Sequence, residues 1–155
     1  MKVEYMQPFV EAACAVLERI SAGPARAGAL SLLEATFASA SVNVAAQVSG
    51  SLRGEVVYNM SSPTAKKLVG LIAGDEARGF GWLLGIGMAR FGAMLGEETV
   101  RLLAEGGHQC QISGPLVFRA MNVEFALNAP GLSVPIETDA GQVHVNVAVC
   151  NGKQA

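Results

Sequence analysis

Apolar positions recur with different periods along the chain, and the changes of period divide it into elements. Over residues 8–21, Val10, Cys14, Leu17 and Ser21 fall at helical spacing with Phe9, Ala13 and Ile20 beside them, which predicts an amphipathic helix. Pro8 suits its first turn, and Gly23-Pro24 stops the run. The stretch around Leu30–Leu33 carries no decisive pattern. VNVAAQVSG and EVVYNM follow, two β-rich runs joined through SLRG, and they predict a hairpin with a short glycine-bounded turn. Ser61-Ser62-Pro63 then offers a capping serine with proline at the first helical position, and Leu68, Leu71 and Ile72 predict a short second helix before Gly74.

From Asp75 to about Glu105 the period is helical again, with Trp82, Ile86, Ala89, Ala93, Gly96, Val100 and Leu103 recurring every three or four residues and Gly106-Gly107 as the stop. The last third is strand-like. QISGPLVF and VEFALNA are short candidates, while QVHVNVAV alternates strictly, with Val143, Val145, Val147 and Val149 on one face and Gln142, His144 and Asn146 on the other. Thr138-Asp139-Ala140-Gly141 turns this run back onto LSVPIET as a second hairpin. Helix, strands, two helices, strands is the order of an α+β layer fold rather than a repeating βαβ sheet. At 155 residues, residues 1–155 are expected to form a single domain.

Composition narrows the function classes. The chain is 51% hydrophobic and only 15% charged, so much of its surface is small or apolar and a homodimer is expected. Eleven Lys and Arg against thirteen Asp and Glu, scattered along the chain, leave no electrostatic footprint for nucleic acid. Cys14, Cys110 and Cys150 are an odd number without C-x-x-C spacing and read as reduced, small hydrophobic residues. Glu4, Pro8 and Glu11 interrupt any leader-like apolar run, so a cytoplasmic location is expected.

The segment GFGWLLGIGMARFGAMLG, residues 79–96, has six glycines and one charge, Arg90. Its glycine spacing misses G-x-G-x-x-G, and it does not follow a predicted strand, so it is not a dinucleotide loop. As a membrane span it would carry Arg90 near its centre, at high cost in lipid. A helix whose small residues admit a close neighbour fits best, since glycine costs a helix about 0.5–1 kcal/mol relative to alanine and is retained where space demands it.

Other chemistries are thin. His108 and His144 are the only histidines, and His108-x-Cys110 has no grouped acids around it, so no metal site is expected. Ser49-Gly50-Ser51 lies in a hairpin turn rather than within G-x-S-x-G. Asp75-Glu76 belong at a helix start and Glu97-Glu98 on a solvated helical face.

Several stretches taken together resemble the CheX branch of the CheC/CheX/FliY chemotaxis phosphatases. Glu4, Pro8-Phe9-Val10-Glu11-Ala12 and Val16-Leu17-Glu18 resemble that family's first helix. The run from Val48 through Ser49-Gly50-Ser51-Leu52-Arg53-Gly54-Glu55 to Tyr58, with Met60-Ser61, resembles its central strand pair. Val134-Pro135-Ile136-Glu137-Thr138 and Gly141-Gln142-Val143 resemble its last hairpin. Leu103-Ala104-Glu105-Gly106-Gly107-His108 and Ile112-Ser113-Gly114-Pro115 look like the end of its long helix and the strand after it.

The resemblance implies an α+β fold, with an antiparallel-rich sheet packed against a few helices and one long helix carrying the family site. It further implies homodimers, and dephosphorylation of the aspartyl phosphate of the response regulator CheY. The family has no cofactor of its own, because the Mg²⁺ belongs to the regulator. Its catalytic pair is a glutamate followed three residues later by an asparagine. That spacing puts both on one helical face, the amide orienting the attacking water and the acid meeting the regulator's pocket lysine. Matching the family's asparagine-methionine to Ala93-Met94 places Arg90 at the acid position and Ala93 at the amide position, and residues 77–105 contain no Asn or Gln.

The expected consequences are large. Alanine cannot orient water, a loss on the order of 10²–10⁴-fold. Arginine facing a lysine at about 4 Å repels by about 4 kcal/mol at an effective dielectric near 20. The sequence therefore predicts a CheX-like protein without the usual catalysis, which binds a phosphorylated response regulator through Arg90, Ala93 and Glu97 or serves as a dimeric structural module. The alternative is an active phosphatase using a displaced acid, Glu97 or Glu98.

Overall fold

A computed structural model describes residues 1–73, 81–127 and 129–152, with residues 81–83 described by backbone alone. After a 3-10 turn at Val3–Tyr5, α1 runs Gln7–Ser21 with Pro8 in its first turn and Phe9, Ala12, Ala13, Val16 and Leu17 buried. Its end is built one residue earlier than Gly23-Pro24 suggests. Ala22 takes the left-handed conformation (φ 53°) and its N–H donates to Glu18 O at 2.9 Å, the αL type of helix stop.

Short strands β1 (Arg26–Ala27), β2 (Ser31–Leu33) and β3 (Thr36–Ala38) lead into the predicted hairpin, β4 (Val42–Gly50) and β5 (Leu52–Met60). SLRG is not a four-residue turn, because only Ser51 separates the strands and Leu52, Arg53 and Gly54 belong to β5. Helix α2 (Ser62–Ala73) is capped by Ser61, whose Oγ accepts the Thr64 N–H at 3.3 Å, one residue before the cap read from the sequence.

The long helix α3 spans Gly81–Glu105; Asp75 and Glu76, expected at its start, lie outside the described residues. Its end is a Schellman motif: Gly107 has φ 89°, its N–H donates to Ala104 O (3.0 Å), and His108 N–H donates to Leu103 O (2.8 Å). QISGPLVF is interrupted at Ser113-Gly114-Pro115 into β6 (Cys110–Ile112) and β7 (Leu116–Arg119), and VEFALNA yields only the brief β8 (Asn122–Glu124). β9 (Gly131–Thr138) and β10 (Gly141–Asn151) form the second predicted hairpin.

The main sheet has the order β1-β9-β10-β5-β4-β6, with β2 also on β9 and β7 also on β4, and every pairing is antiparallel. Val143, Val145, Val147 and Val149 enter one core with Val44, Val56, Phe9, Leu68, Phe91 and Leu95, so the three helices cover that face. Each such side chain removed from water contributes about 1.5–3 kcal/mol.

The other face is not simply solvated. β3 and β8 pair with each other and bring Phe37, Val123 and Phe125 over Val57 and Ala148. Phe37 and Phe125 stack at a tilt, centroids 5.0 Å apart. Asn146, expected on a polar outer face, is 2% exposed; its Nδ2 donates to Val57 O (2.9 Å) and its Oδ1 accepts from Ser133 Oγ (2.8 Å). A buried amide must be paired in this way, because an unmade bond costs about 1–3 kcal/mol.

His144 is half-buried on the same face, and burial pushes its imidazole below the ordinary value of 6.5, partly offset by the Glu137 carboxylate. The unfolded chain then binds more protons than the folded one between the two values, so stability falls as pH drops through 6.5 towards the lower folded value. Melting curves at about pH 7.5 and about pH 5 should show this loss, and His144→Gln should reduce it.

Candidate functional site

Glycine decides how α3 lies. A Cβ at Gly87 would come within 2.7 Å of both γ carbons of Val69 on α2, and one at Gly92 within 2.7 Å of Pro115 Cβ and Val44 Cγ1. These two contacts draw the helix against α2 and the sheet. Gly85 has nothing within 4 Å, so the glycines do not form one continuous packed stripe.

The buried face therefore runs through Met88, Phe91, Leu95, Thr99 and Leu103. This corrects the face read from periodicity, since Ile86 is 59% exposed and Ala93 is also exposed. The glycines carry no side chain for a hydrophobic count to register, yet two of them sit at the closest contacts. Beneath the helix, Thr99 Oγ1 donates to Leu95 O at 2.6 Å. The fully buried Tyr58 hydroxyl faces Thr99 without a well-formed hydrogen bond, and burial pushes its phenol above the ordinary range.

Arg90, Ala93 and Glu97 all lie exposed, at positions three and four apart on the solvent face of α3. Arg90 and Glu97 have no ion pair among the described residues. Glu98, one position on, turns away. Its carboxylate accepts from Arg101 through Nη2 and Nε, lies 3.8 Å from Arg19 Nη2 on α1, and its side chain is 17% exposed. The hydrogen-bonded Arg101 guanidinium holds its carboxyl below the usual range. Arg101 also donates to Glu105 Oε1 at 2.7 Å. Glu97-Glu98 is thus one solvated acid and one that clamps α3 to α1.

The remaining candidates serve the fold. His108 Nδ1 lies 3.1 Å from Ser51 Oγ and its ring meets Tyr5 edge-on at 5.6 Å, tying the end of α3 to the tip of the first hairpin. Cys110 is buried, with Leu52 N–H directed at its sulfur (3.4 Å), while Cys14 and Cys150 are half-buried free thiols. Among the described residues no three His, Cys, Asp or Glu side chains converge, and no helix is long and apolar enough to cross a membrane.

This architecture, a helix-covered antiparallel sheet with a long helix presenting a free face, is the fold of the CheX/CheC-like chemotaxis proteins. A CheX crystal structure from Desulfovibrio desulfuricans matches with a TM-score of 0.84 at 18% identity, covering 96% of this chain and 99% of that one. CheX from Vibrio vulnificus matches at 0.81 and 16%, again over 96% and 99%. A chain of the CheX–CheY–BeF3–Mg²⁺ complex from Borrelia burgdorferi matches at 0.71 and 20%, over 96% and 99%. No protein-family sequence model and no curated protein sequence matches the chain.

Proposed function

We propose that this chain is a cytoplasmic chemotaxis or two-component signalling protein that binds a phosphorylated response regulator of the CheY kind through the exposed face of α3, and that it has lost the phosphatase pair. The observation that carries this reading is the exposure of Arg90 and Ala93 on the one long helix, at the positions where the CheX resemblance calls for an acid and an amide. A structural neighbour in complex with CheY supports a regulator as the partner. The protein needs no cofactor for binding, the Mg²⁺ being the regulator's, and it works as a homodimer.

The test is phosphate release from an acyl-phosphorylated CheY-type regulator, with binding followed in parallel. Binding without faster release is expected. Release that rises with the protein and is lost in Arg90→Ala would overturn the inactive reading. A second reading survives in one form: Glu97, exposed on the same face as Ala93, is a displaced acid. Under it, any activity disappears in Glu97→Gln, whereas under the leading reading Glu97→Gln changes only regulator affinity. Glu98 is a poorer candidate, since Arg101 and Arg19 already hold its carboxylate.

A further inference from the structure

On the face of the sheet away from the helices, the small β3–β8 sheet covers only part of the surface. Phe37, Val123 and Phe125 lie over Val57 and Ala148. Beyond them the floor turns polar, and a cleft of about 530 Å³ opens between β4, β5, β6 and the segment after β8. Its lining includes Gln47, Ser49, Arg53, Glu55 and Gln111, with Ala126 in the wall.

The register explains the arrangement. Gln47 opposes Glu55, and Ser49 opposes Gln111, and Arg53 and Glu55 are two apart on β5, so their side chains leave the same face roughly 7 Å apart along the strand. Gly54 between them faces the core side and leaves the pair undivided.

The two opposite charges do not meet. Among the described residues Arg53 has no ion pair, while the half-buried Glu55 carboxylate takes the Ala126 N–H on Oε1 and so is held against the wall. An exposed arginine gains only about 0–1 kcal/mol by closing on a nearby carboxylate, so the Arg53 guanidinium stays available to an outside anion. On one face of β5 they present a mobile anion-binding group beside an anchored cation-binding group, two residues apart. Burial raises the Glu55 carboxyl above its ordinary range, as expected for a carboxylate short of a cationic partner.

We propose that this cleft binds a small zwitterion, a free α-amino acid, with its carboxylate on the Arg53 guanidinium and its ammonium on the Glu55 carboxylate. Charge-assisted bonds of about 2.8 Å at each end suit a ligand that carries its ammonium and its carboxylate on one carbon. The side-chain amides of Gln47 and Gln111 supply further polar contacts. The site lies across the sheet from Arg90 and stands whether or not α3 binds a regulator.

The test is a titration of the isotope-labelled full chain with glycine, L-alanine, L-glutamate and L-lysine, followed by amide shifts. Acetate and methylamine serve as probes carrying one charge each. Saturable shifts at Arg53, Gly54, Glu55 and Ala126 with an amino acid are expected, at least tenfold tighter than with acetate or methylamine. Arg53→Ala, at an exposed position, and Glu55→Gln should each weaken binding about tenfold or more while leaving the remaining spectrum in place. No saturable shift by any of the four up to about 10 mM, equal binding of acetate alone, or unchanged affinity in Arg53→Ala overturns the proposal.

Discussion

The double variant Arg90→Glu, Ala93→Asn is expected to speed loss of the acyl phosphate from a CheY-type regulator by about 10²–10⁴-fold over the unaltered chain, the range for one positioned catalytic group. Both positions are exposed on the middle of α3, so neither new side chain has to enter the core. Asn in place of Ala costs an exposed helix about 0.5 kcal/mol, and Arg to Glu little, leaving the fold intact. In the proposed binding mode the new acid would meet the regulator's lysine, which Arg90 would repel, and the amide would orient water within the same turn. Phosphate release measured against regulator concentration checks this. A variant that binds the regulator and stays inactive would show that Arg90 and Ala93 are not the family's acid and amide positions.

Gly54→Ala is expected to be the most damaging glycine-to-alanine change among the described residues, lowering stability by about 4 kcal/mol or more in denaturant unfolding. Gly54 has φ 150°, and a Cβ there would sit 1.9 Å from Ala148 O and 2.8 Å from Val149 Cα. Those are backbone atoms of β10, the longest strand, which pairs with β5 over nine residues. They cannot step aside as a flexible side chain would, so the two central strands must separate locally. Gly70→Ala is the matched control. It lies within α2 with nothing inside 4 Å, and alanine there should stabilise by about 0.5–1 kcal/mol. Similar losses in both would mean that Gly54 is not a close backbone approach.

How much was legible depended on how far each feature reaches along the chain. The first helix, the Gly106-Gly107 stop and the Val143–Val149 alternation were readable because their causes are local: a 3.6-residue period, a left-handed glycine, a two-residue period. The exposure of Arg90 and Glu97 was also readable, since a charge on an otherwise apolar helix turns outward. The exposure of Ile86 and Ala93 was not, because the phase of α3 is set at Gly87 and Gly92 by Val69 on α2 and by Val44 and Pro115 near the sheet. Glu97 and Glu98 look equivalent in sequence, and only Arg101 and Arg19 tell them apart.

By itself, then, the sequence determined the three helices, the two long hairpins, their α+β order and the identity of the residues at positions 90 and 93, all properties of residues near one another in the chain, but not the short strands β1–β3 or the break between β6 and β7. The tertiary structure decided which face of α3 meets solvent, why Asn146 is buried, and that Arg53 and Glu55 share a cleft. Each of these follows from segments distant in sequence: the partners of Asn146 are Ser133 on β9 and Val57 on β5, the latter 89 positions away. Burial is set by what packs from across the chain, and a one-dimensional period carries no record of it.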